Sequence, residues 1–565
     1  MSDNHNSFEW LNETSKRFLE SGYLMDGETP EGRIRDICNA FENYMGVEGI
    51  GQKLYYYCSQ GWVSFSSPVW SNYGRRQRGF PVSCFNGTCD DNVPSILYFQ
   101  SETGMLSKMG GGTSGYFGNI RPRGSDISGN GKTGGAVHFM QLFQEATDVI
   151  SQGGVRRGRM APYLPVEHGD IDEFLDIMTE GHPIQSMTTG VVVKDDWMED
   201  MINGDADNRK VWAKVLRRRK EVGVPYIAFH GALNRNKPDV YKDKDMEIQS
   251  SNLCSEIALP STKDETFVCV LSSVNLERYD EWKDSDLVET MTFFLDTVAE
   301  ETIQKLERMR DSESEEDRMG YFFLERAYNF VRRHRALGLG VLGWSSYLQK
   351  NMIPFESAEA AELNKSIHKQ IQDQSHEASR KLAEMFGEPE VLKGYGRRNT
   401  TTMAIAPTTS SAAILGQVSQ SIEPWMSNNF IKNLAKMKVE IRNKYLEQLL
   451  EKYGRNTEET WDTIAKNDGS VSHLTFLSDR ERDVFKTFRE IDPYTIIDQA
   501  ADRQEFLDQT QSLNLMIDSS FTPKDLNKLT IYAWKQGICT LYYQHSVNAA
   551  QQTFQKDSDC VACEA

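Results

Sequence analysis

Short apolar segments with strand character alternate with long amphipathic segments along most of this 565-residue chain. Apolar side chains recur at the helical period in residues 285–309, and a second helix runs from about Ser357, a favourable N-cap, to Phe386. The strand-like segments that alternate with them are residues 225–229, 267–271, 402–407 and 538–543. This alternation favours an α/β architecture.

Two further regions predict helices of a different kind. In residues 1–60, Ile34, Ile37, Phe41 and Met45 lie at helical spacing and the rest of the surface is polar. Residues 427–510 are charged and helical in pattern, which indicates packing or an interface rather than chemistry.

The composition is that of a large enzyme with small-molecule or protein partners. Hydrophobic residues make up 39% of the chain and aromatic residues 10%, which is enough for a substantial core. The net charge of −19 and the lack of a basic stretch argue against a nucleic-acid partner. The N-terminal segment lacks the apolar core of a signal peptide, and no apolar run approaches the ~20 residues that span a bilayer. We therefore expect a cytoplasmic protein with no membrane partner.

Residues 252–257, near the middle of the chain, carry a carboxamide, a thiol and a carboxylate at alternate positions. If this stretch is extended, Asn252, Cys254 and Glu256 point to the same side. Asn and Glu are costly to bury without partners, so the pattern fits a site where sulfur does chemistry beside a hydroxylated substrate. The alternative is a polar loop with a chance cysteine, and the hexapeptide alone does not decide between the two.

The chain has nine cysteines, an odd number: Cys38, Cys58, Cys84, Cys89, Cys254, Cys269, Cys539, Cys560 and Cys563. In a reducing cytosol, disulfides are transient and catalytic rather than structural. Zinc is the main competing explanation, but only Cys560 and Cys563 form a CxxC pair, and the sequence offers no second pair to complete a site. This terminal pair is suited to thiol–disulfide exchange.

Two glycine-rich basic segments are candidate phosphate-binding loops. Residues 104–135 include Arg121, and residues 151–159 include Arg156. Glycines let backbone amides approach an anion and the basic side chains supply charge, although such loops are also often mobile surface. Residues Thr408–Ser411 follow the predicted strand 402–407. This hydroxyl-rich run predicts either a neutral phosphate cradle or a simple helix cap.

Together these segments resemble the large, catalytic subunit of class I ribonucleotide reductases. The resemblance runs from about residue 60 to the end and rests on six motifs in the family's order: PVSC at 81–84, NLCSE at 252–256, CVLSSVNLERY at 269–279, APTTSS at 406–411, LYYQ at 541–544 and the terminal cysteine pair. It implies a ten-stranded α/β barrel with Cys254 at the tip of a central finger loop. The expected parts are a helical N-terminal region (1–65), the catalytic barrel (66–550) and a flexible redox-active tail (551–565).

The resemblance implies a thiyl-radical mechanism that reduces ribonucleoside diphosphates to deoxyribonucleotides for DNA synthesis. Cys254 would be the thiyl radical that takes the 3′-hydrogen of the ribose. Glu256 would be the general base on the 3′-hydroxyl, and Asn252 would hydrogen-bond the substrate hydroxyls. Cys84 and Cys269 would be the dithiol that supplies two electrons and becomes a disulfide. The fold must then bring their α-carbons within the ~4.4–6.8 Å that a disulfide allows.

The same resemblance implies protein partners. Cys560 and Cys563 would re-reduce the disulfide, and a thioredoxin or glutaredoxin would reduce them in turn. Tyr542 and Tyr543, which by pattern alone would be one core and one surface residue of a strand, would relay a radical from a separate metal-containing small subunit. We therefore expect no metal or cofactor bound in this chain.

The resemblance also implies nucleotide sites. The residues expected to bind the substrate diphosphate are Ser67, Ser83, Thr408, Thr409, Ser410 and Ser411. Asp91, Arg121 and Arg156 would form an allosteric specificity site at the interface of a homodimer, where a dNTP or ATP selects the substrate. Many relatives begin with an ATP-binding cone, but Cys84 lies too close to the N-terminus to leave room for one. We therefore expect that dATP does not shut off turnover.

Three other interpretations fit less well. An adenosylcobalamin-dependent (class II) reductase shares the barrel and the cysteines, but the Tyr542–Tyr543 pair argues against a radical generated in place. A glycyl-radical enzyme is disfavoured because the C-terminal part carries no glycine-centred radical motif. A catalytically dead nucleotide-binding regulator fits poorly, because the five cysteines, Asn252 and Glu256 are all present.

Overall fold

A computed structural model of the chain describes residues 8–76, 78–152, 158–434 and 437–546, with side chains left out for 431–440. Arg156, Cys560 and Cys563 lie outside the described residues. The helices are α1 (Glu13–Glu20), α2 (Pro30–Met45), α3 (Ile50–Ser59), α4 (Ser67–Asn72), α5 (Val93–Lys108), α6 (Ala136–Val149), α7 (Ile171–Phe174), α8 (Asp195–Asn203), α9 (Ala206–Val222), α10 (His230–Asn236), α11 (Asp239–Asp243), α12 (Tyr279–Trp282), α13 (Leu287–Arg310), α14 (Glu315–His334), α15 (Trp344–Lys350), α16 (Ala358–Phe386), α17 (Thr409–Ile414), α18 (Lys444–Lys452), α19 (Glu458–Lys466), α20 (Asp479–Val484), α21 (Pro493–Gln504) and α22 (Pro523–Lys535). Within these described ranges, no helix is long and apolar enough to cross a membrane.

The strands are mostly short. They are β1 (Val63–Phe65), β2 (Cys84–Thr88), β3 (Gly112–Tyr116), β4 (Met160–Pro165), β5 (Gly190–Val193), β6 (Tyr226–Phe229), β7 (Phe267–Asn275), β8 (Leu337–Leu342), β9 (Asn429–Leu434), β10 (Met437–Arg442), β11 (Leu515–Ile517), β12 (Thr540–Leu541) and β13 (Gln544–Ser546). Short 3-10 turns lie at Leu276–Arg278, Glu390–Leu392 and Phe488–Glu490.

Nine of these strands form one sheet in the described part of the chain, in the order β1-β7-β2-β3-β4-β5-β6-β12, with β8 paired to β7. Strands β2 to β6 are parallel and are separated by helices, as parallel neighbours require. Every residue of β7 and β8 is buried. The sheet is therefore covered on both faces, which is typical of α/β folds and puts its strand ends inside the molecule.

The helices predicted from spacing are present. α16 begins after Ser357, whose side chain accepts a hydrogen bond from the Ala360 amide, and it ends at Gly387 with a φ of 81°. α13 spans the segment predicted at 285–309. In α2 the four predicted apolar residues are all buried, and the Phe41 ring contacts Phe294 of α13 edge-on, 5.6 Å between centroids.

Three predicted elements differ from the structure. Residues 402–407 form isolated bridges rather than a strand. At the start of this segment the Asp508 carboxylate accepts from the Thr402 amide (2.6 Å) and the Met403 amide (3.2 Å). The glycine-rich segment 104–135 is not one loop, since it holds the end of α5 and the whole of β3. The region 427–510 begins with the β9–β10 hairpin before its helices.

One buried arginine ties the N-terminal helices to the sheet region. The Arg33 guanidinium of α2 donates to the carbonyls of Trp70 (2.8 Å), Val69 (3.0 Å) and Tyr73 (2.7 Å) at the end of α4. The last carbonyls of a helix have no partner within the helix, and a cation there is favourable. Arg33 is 1% exposed, and burial lowers its pKa to about 10. It thereby fixes α4, which carries Ser67.

Replacing Arg33 with methionine should lower the free energy of unfolding by about 3 kcal/mol, because three buried carbonyls lose a charged donor. Denaturant unfolding of the full chain measures the change. The matched control is Arg35→Met on the exposed face of the same helix, which should change stability by no more than about 0.5 kcal/mol. Equal losses for the two variants would contradict the role given to Arg33.

Candidate active site

The cysteine-centred hexapeptide folds as a tight turn. The Ser255 amide donates to the Asn252 carbonyl at 3.2 Å, and Ser255 has a φ of 66°. The extended row suggested by the alternating side chains is therefore wrong. Neighbours hold the turn: the Tyr163 hydroxyl donates to the Asn252 carbonyl (2.9 Å), and the Thr540 hydroxyl donates to the Ser255 carbonyl (2.7 Å).

The turn still brings the predicted polar side chains together. The Asn252 amide Nδ2 donates to Glu256 Oε2 at 2.9 Å, and the Asn252 Oδ1 accepts from the Ile257 amide at 3.1 Å. Cys254 lies between them in sequence and is 3% exposed. A carboxamide, a thiol and a carboxylate thus share one buried loop.

Ser512 completes this cluster, and the sequence analysis missed it. Its hydroxyl lies 2.6 Å from the Cys254 carbonyl oxygen and 3.3 Å from Glu256 Oε2. More than 250 residues separate Ser512 from either partner in the chain. No local pattern relates the two segments, so only the fold reveals the contact.

Glu256 is placed to exchange protons near neutral pH. Burial raises the pKa of the Glu256 carboxyl to about 7, although hydrogen bonds from Asn252 and Ser512 favour the carboxylate. A carboxyl group of this kind is a good general acid or base at physiological pH.

Cys84 and Cys269 face each other across the sheet. They are direct partners in the antiparallel pairing of β2 with β7. Directly opposed residues in such a ladder have α-carbons about 4.5–5.5 Å apart, within the range that a disulfide allows. The Cys84 thiol also points at Glu256 Oε1 (4.0 Å), so the pair adjoins the cysteine turn.

The Cys269 sulfur has a polar partner that the sequence analysis also missed. The Gln509 Nε2 donates to Cys269 Sγ at 3.2 Å. Burial raises the pKa of the Cys269 thiol well above its usual value, while the Gln509 hydrogen bond opposes that rise. The thiol is therefore protonated at rest.

Three tyrosine rings pack together beside this region. The ring centroids of Tyr542 and Tyr543 are 4.5 Å apart, and Tyr226 of β6 lies 4.7 Å from the first and 5.1 Å from the second. Tyr542 is buried and Tyr543 half-buried. Tyr226 was not among the predicted site residues, since its strand pattern marks it only as core.

One buried segment, residues 508–514, contacts Cys269, the cysteine turn and the tyrosines, and we call it the strap. Gln509 contacts Cys269, and Ser512 contacts the cysteine turn. The Leu513 carbonyl accepts from the Tyr542 amide (2.9 Å), and Asn514 Oδ1 accepts from the Tyr543 amide (3.1 Å). A run of amide and hydroxyl side chains is the only signal of the strap in the sequence.

The predicted phosphate cradle lies at the start of α17. Thr408 has a φ of 55°, and its hydroxyl oxygen accepts from the Ser421 amide at 2.8 Å. The Ser410 hydroxyl is buried and has no hydrogen-bond partner among the described residues. Ser67 donates to the Tyr23 hydroxyl (3.2 Å), and Ser83 lies 3.9 Å from the Cys84 sulfur. A buried hydroxyl without a hydrogen-bond partner, such as that of Ser410, suits a polar ligand.

Two of the three predicted specificity residues form an ion pair. Arg121 Nε lies 2.5 Å from Asp91 Oδ2, and both side chains are partly exposed. Arg121 also donates to the Asp126 carbonyl at 2.7 Å. Asp91 lies just before α5, and Arg121 follows β3.

Comparisons with known proteins agree with one another. The family described as "Ribonucleotide reductase, barrel domain" matches residues 82–207, 202–393 and 388–544. A provisionally named ribonucleoside-diphosphate reductase large subunit of Frog virus 3 (isolate Goorha) is 34% identical over 93% of this chain and 94% of the viral protein. The ribonucleoside-diphosphate reductase large subunit of Invertebrate iridescent virus 3 is 29% identical, with 97% of each chain covered. The solved structure of the Actinobacillus ureae class Id ribonucleotide reductase alpha subunit is 49% identical, with a TM-score of 0.89 over 97% of this chain and 100% of that chain.

The raised pKa of Glu256 predicts how a Glu256→Gln variant compares with the parent. Between about pH 4.5 and 7 the unfolded parent has lost this proton while the folded parent keeps it, so the parent loses stability as the pH rises. The variant cannot ionise, so its stability relative to the parent should increase by about 2.5 kcal/mol between pH 5 and 8. Unfolding midpoints across that range measure it. Glu423→Gln, whose carboxyl is also buried with a pKa of about 7, should show the same sign. A difference that stays constant with pH contradicts the assignment.

Proposed function

The chain belongs to the ribonucleotide reductase family as a large subunit, and we propose which of its residues carry the family's reaction. It is a ribonucleoside-diphosphate reductase large subunit, an oxidoreductase of deoxyribonucleotide synthesis. The predicted family and fold are confirmed, although the described sheet has nine strands rather than ten. The comparisons do not support the adenosylcobalamin-dependent alternative.

One observation carries the residue assignments: the buried turn sets Cys254, Asn252 and Glu256 against the facing pair Cys84 and Cys269.

The proposed reaction begins at the cysteine turn. Cys254, as a thiyl radical, takes the 3′-hydrogen atom of the ribose, and the sugar radical weakens the neighbouring C2′–O bond. Glu256 takes the proton of the 3′-hydroxyl, a role that a pKa of about 7 supports. Asn252, whose amide is held against Glu256, hydrogen-bonds the substrate hydroxyls. Cys254 later returns the hydrogen atom to the 3′-carbon.

The facing cysteines supply the electrons. The 2′-hydroxyl leaves as water after taking a proton from the dithiol of Cys84 and Cys269. The two thiols give up two electrons and two protons in all and become one disulfide. The β2–β7 register supports this role, because directly opposed residues of an antiparallel pair lie at an α-carbon separation that a disulfide allows. Cys560 and Cys563 are proposed to reduce the disulfide, and a thioredoxin or glutaredoxin to reduce them.

The radical is proposed to arrive through Tyr543 and Tyr542 from a separate metal-containing small subunit. The 4.5 Å between their ring centroids supports a transfer between the two tyrosines. The strap supports a further transfer to Cys254, since Leu513 accepts from the Tyr542 amide and the adjacent Ser512 donates to the Cys254 carbonyl. No metal or cofactor is proposed in this chain.

The hydroxyl-rich residues are proposed to hold the substrate diphosphate. The buried Ser410 hydroxyl has no hydrogen-bond partner among the described residues, which supports phosphate binding at this site. Thr408, Thr409 and Ser411 place further hydroxyl groups beside it. Ser83 adjoins Cys84, and α17 packs against β1, which leads to Ser67. Phosphate binding here would place the ribose near the cysteine turn.

Asp91, Arg121 and Arg156 are proposed as the specificity site for a dNTP or ATP at the interface of a homodimer. Exposed apolar side chains on neighbouring helices support such an interface: Val93 and Leu97 of α5, Leu142 of α6, and Met319 and Phe322 of α14.

Four further expectations stay predictions. They are the domain division at residues 65 and 550, the lack of control by dATP, the cytoplasmic location and the lack of a nucleic-acid partner.

Turnover of CDP to dCDP tests the proposed partners. The assay contains dithiothreitol and an effector triphosphate, with and without a candidate small subunit, and with and without adenosylcobalamin. We expect activity only with the small subunit, because the radical must enter through the tyrosines. Activity with adenosylcobalamin alone would return Tyr542 and Tyr543 to structural roles.

Replacing Cys254 with serine should abolish turnover while nucleotide binding stays intact, because an alcohol cannot carry the radical as a thiol does. Rates of dCDP formation and equilibrium binding of an effector triphosphate measure the two effects. The matched control is Cys38→Ser, a buried cysteine in the N-terminal helices, which should keep turnover within about threefold of the parent. Retained turnover in Cys254→Ser would overturn the catalytic assignment.

A further inference from the structure

We propose that the Cys84–Cys269 disulfide is reopened in one direction: the incoming thiolate attacks the Cys84 sulfur, and Cys269 leaves toward the amide of Gln509. This rests on the proposed dithiol role of the two cysteines. It assigns distinct functions to two residues that the overall reaction treats alike, and it makes Gln509 a positioning residue for the leaving sulfur.

The residues that adjoin the pair in the sheet differ on its two sides. Cys269 of β7 is opposite Cys84 of β2, and Cys84 is opposite Gly112 of β3 on its other side. Residues in register on adjacent strands project to the same face. Thiol–disulfide exchange requires the attacking sulfur to approach along the line of the S–S bond. Beyond Cys84 that line passes over Gly112, which contributes no side chain of its own.

The opposite side of the pair is closed. The Gln509 Nε2 lies 3.2 Å from the Cys269 sulfur. Strand β8 pairs with β7, and a β-carbon built on Gly338 of β8 would lie 3.2 Å from the Cys269 sulfur. Cys269 is accordingly 1% exposed, whereas Cys84 is 6% exposed. Cys84 is therefore the more exposed residue of the pair, as the proposed direction requires.

The neighbouring polar groups favour the same direction. The leaving sulfur departs as a thiolate and gains from an N–H donor, which Gln509 supplies. The Cys84 sulfur has the Ser83 hydroxyl at 3.9 Å and the Glu256 carboxyl oxygen at 4.0 Å, and negative charge on Glu256 opposes negative charge on this sulfur. The Gln509 amide keeps its orientation because its Oε1 accepts from the Ala258 amide (3.2 Å) and its Nε2 also donates to the Leu337 carbonyl (2.9 Å).

The exchange balances with a dithiol as reductant. Its thiolate forms an S–S bond with Cys84 as the Cys84–Cys269 bond breaks, and the electron pair of that bond leaves on Cys269, which then takes up a proton. The second thiol of the reductant attacks its own sulfur in the mixed disulfide and releases Cys84. The reductant becomes a disulfide, and two electrons have been transferred.

Trapping the mixed disulfide tests the direction. The full-length chain with Cys560→Ser and Cys563→Ser is assembled with the small subunit and turned over with CDP without external reductant, and peptide mapping then detects the disulfide. A short pulse of 2-mercaptoethanol, stopped with excess iodoacetamide, marks the attacked cysteine with mercaptoethanol and the leaving cysteine with a carbamidomethyl group. We expect at least a tenfold excess of mercaptoethanol on Cys84.

The outcomes separate the two proposals. If no Cys84–Cys269 disulfide forms, both the dithiol role and the direction are wrong. If the disulfide forms but mercaptoethanol is found mainly on Cys269, or equally on both, only the direction is wrong. The parent sequence around the pair is unchanged in this experiment, so misfolding of a variant does not enter.

Gln509→Met tests the leaving-group role, since methionine keeps the length of the side chain without its N–H donor. Opening of the disulfide by 2-mercaptoethanol should slow by about tenfold to a hundredfold, the effect of losing one hydrogen bond to a charged group. The matched control is Gln511→Met, equally buried and two residues away, whose amide binds the Ala500 carbonyl instead of a sulfur. Opening of the Gln509→Met disulfide at the parental rate would overturn the role of Gln509.

Discussion

The site depends on the hydrogen bonds between the strap and the cysteine turn. The Thr510 amide donates to the Glu256 carbonyl at 3.1 Å, and Ser512 donates to the Cys254 carbonyl. A turn buried away from water leaves backbone groups that must find partners, and an unmet one costs about 1–3 kcal/mol. The strap supplies those partners, and the same residues reach the tyrosines and Cys269. Positions that lie far apart in the chain are thereby held in one rigid cluster.

Burial of this cluster has a chemical consequence. Removing a carboxyl group from water raises its pKa, and hydrogen bonds to the carboxylate lower it again. At Glu256 the first effect is larger, so the group exchanges protons near pH 7. At Cys269 burial likewise favours the neutral thiol, which protects a buried nucleophile from unwanted reaction until it is needed. The same low-polarity surroundings would serve both the proposed base and the proposed reducing pair.

The sheet gives the cysteine pair its asymmetry. β7 lies between β8 on one edge and both β1 and β2 on the other, so Cys269 is enclosed while Cys84 lies nearer the glycine-bearing strand β3. Support for the surrounding region comes from the N-terminal helices, where Arg33 holds the end of α4. The geometry of the site therefore rests on packing that reaches from α2 to the last strands of the described chain.

Local sequence patterns determined the α/β class and the long helices α13 and α16, because helical period and capping residues are local properties. The ordered motifs determined the family, while the roles of the individual cysteines stay proposals. Local patterns failed where a distant side chain replaced a local partner. Asp508 binds the Thr402 and Met403 amides at the start of the predicted strand 402–407, and the fold bends residues 252–257 into a turn. Only the tertiary structure revealed Ser512, Gln509 and Tyr226, since contacts across hundreds of residues leave no periodic signal in one sequence. It alone also decided that two like cysteines have unlike surroundings, because burial and the direction of approach are properties of packing.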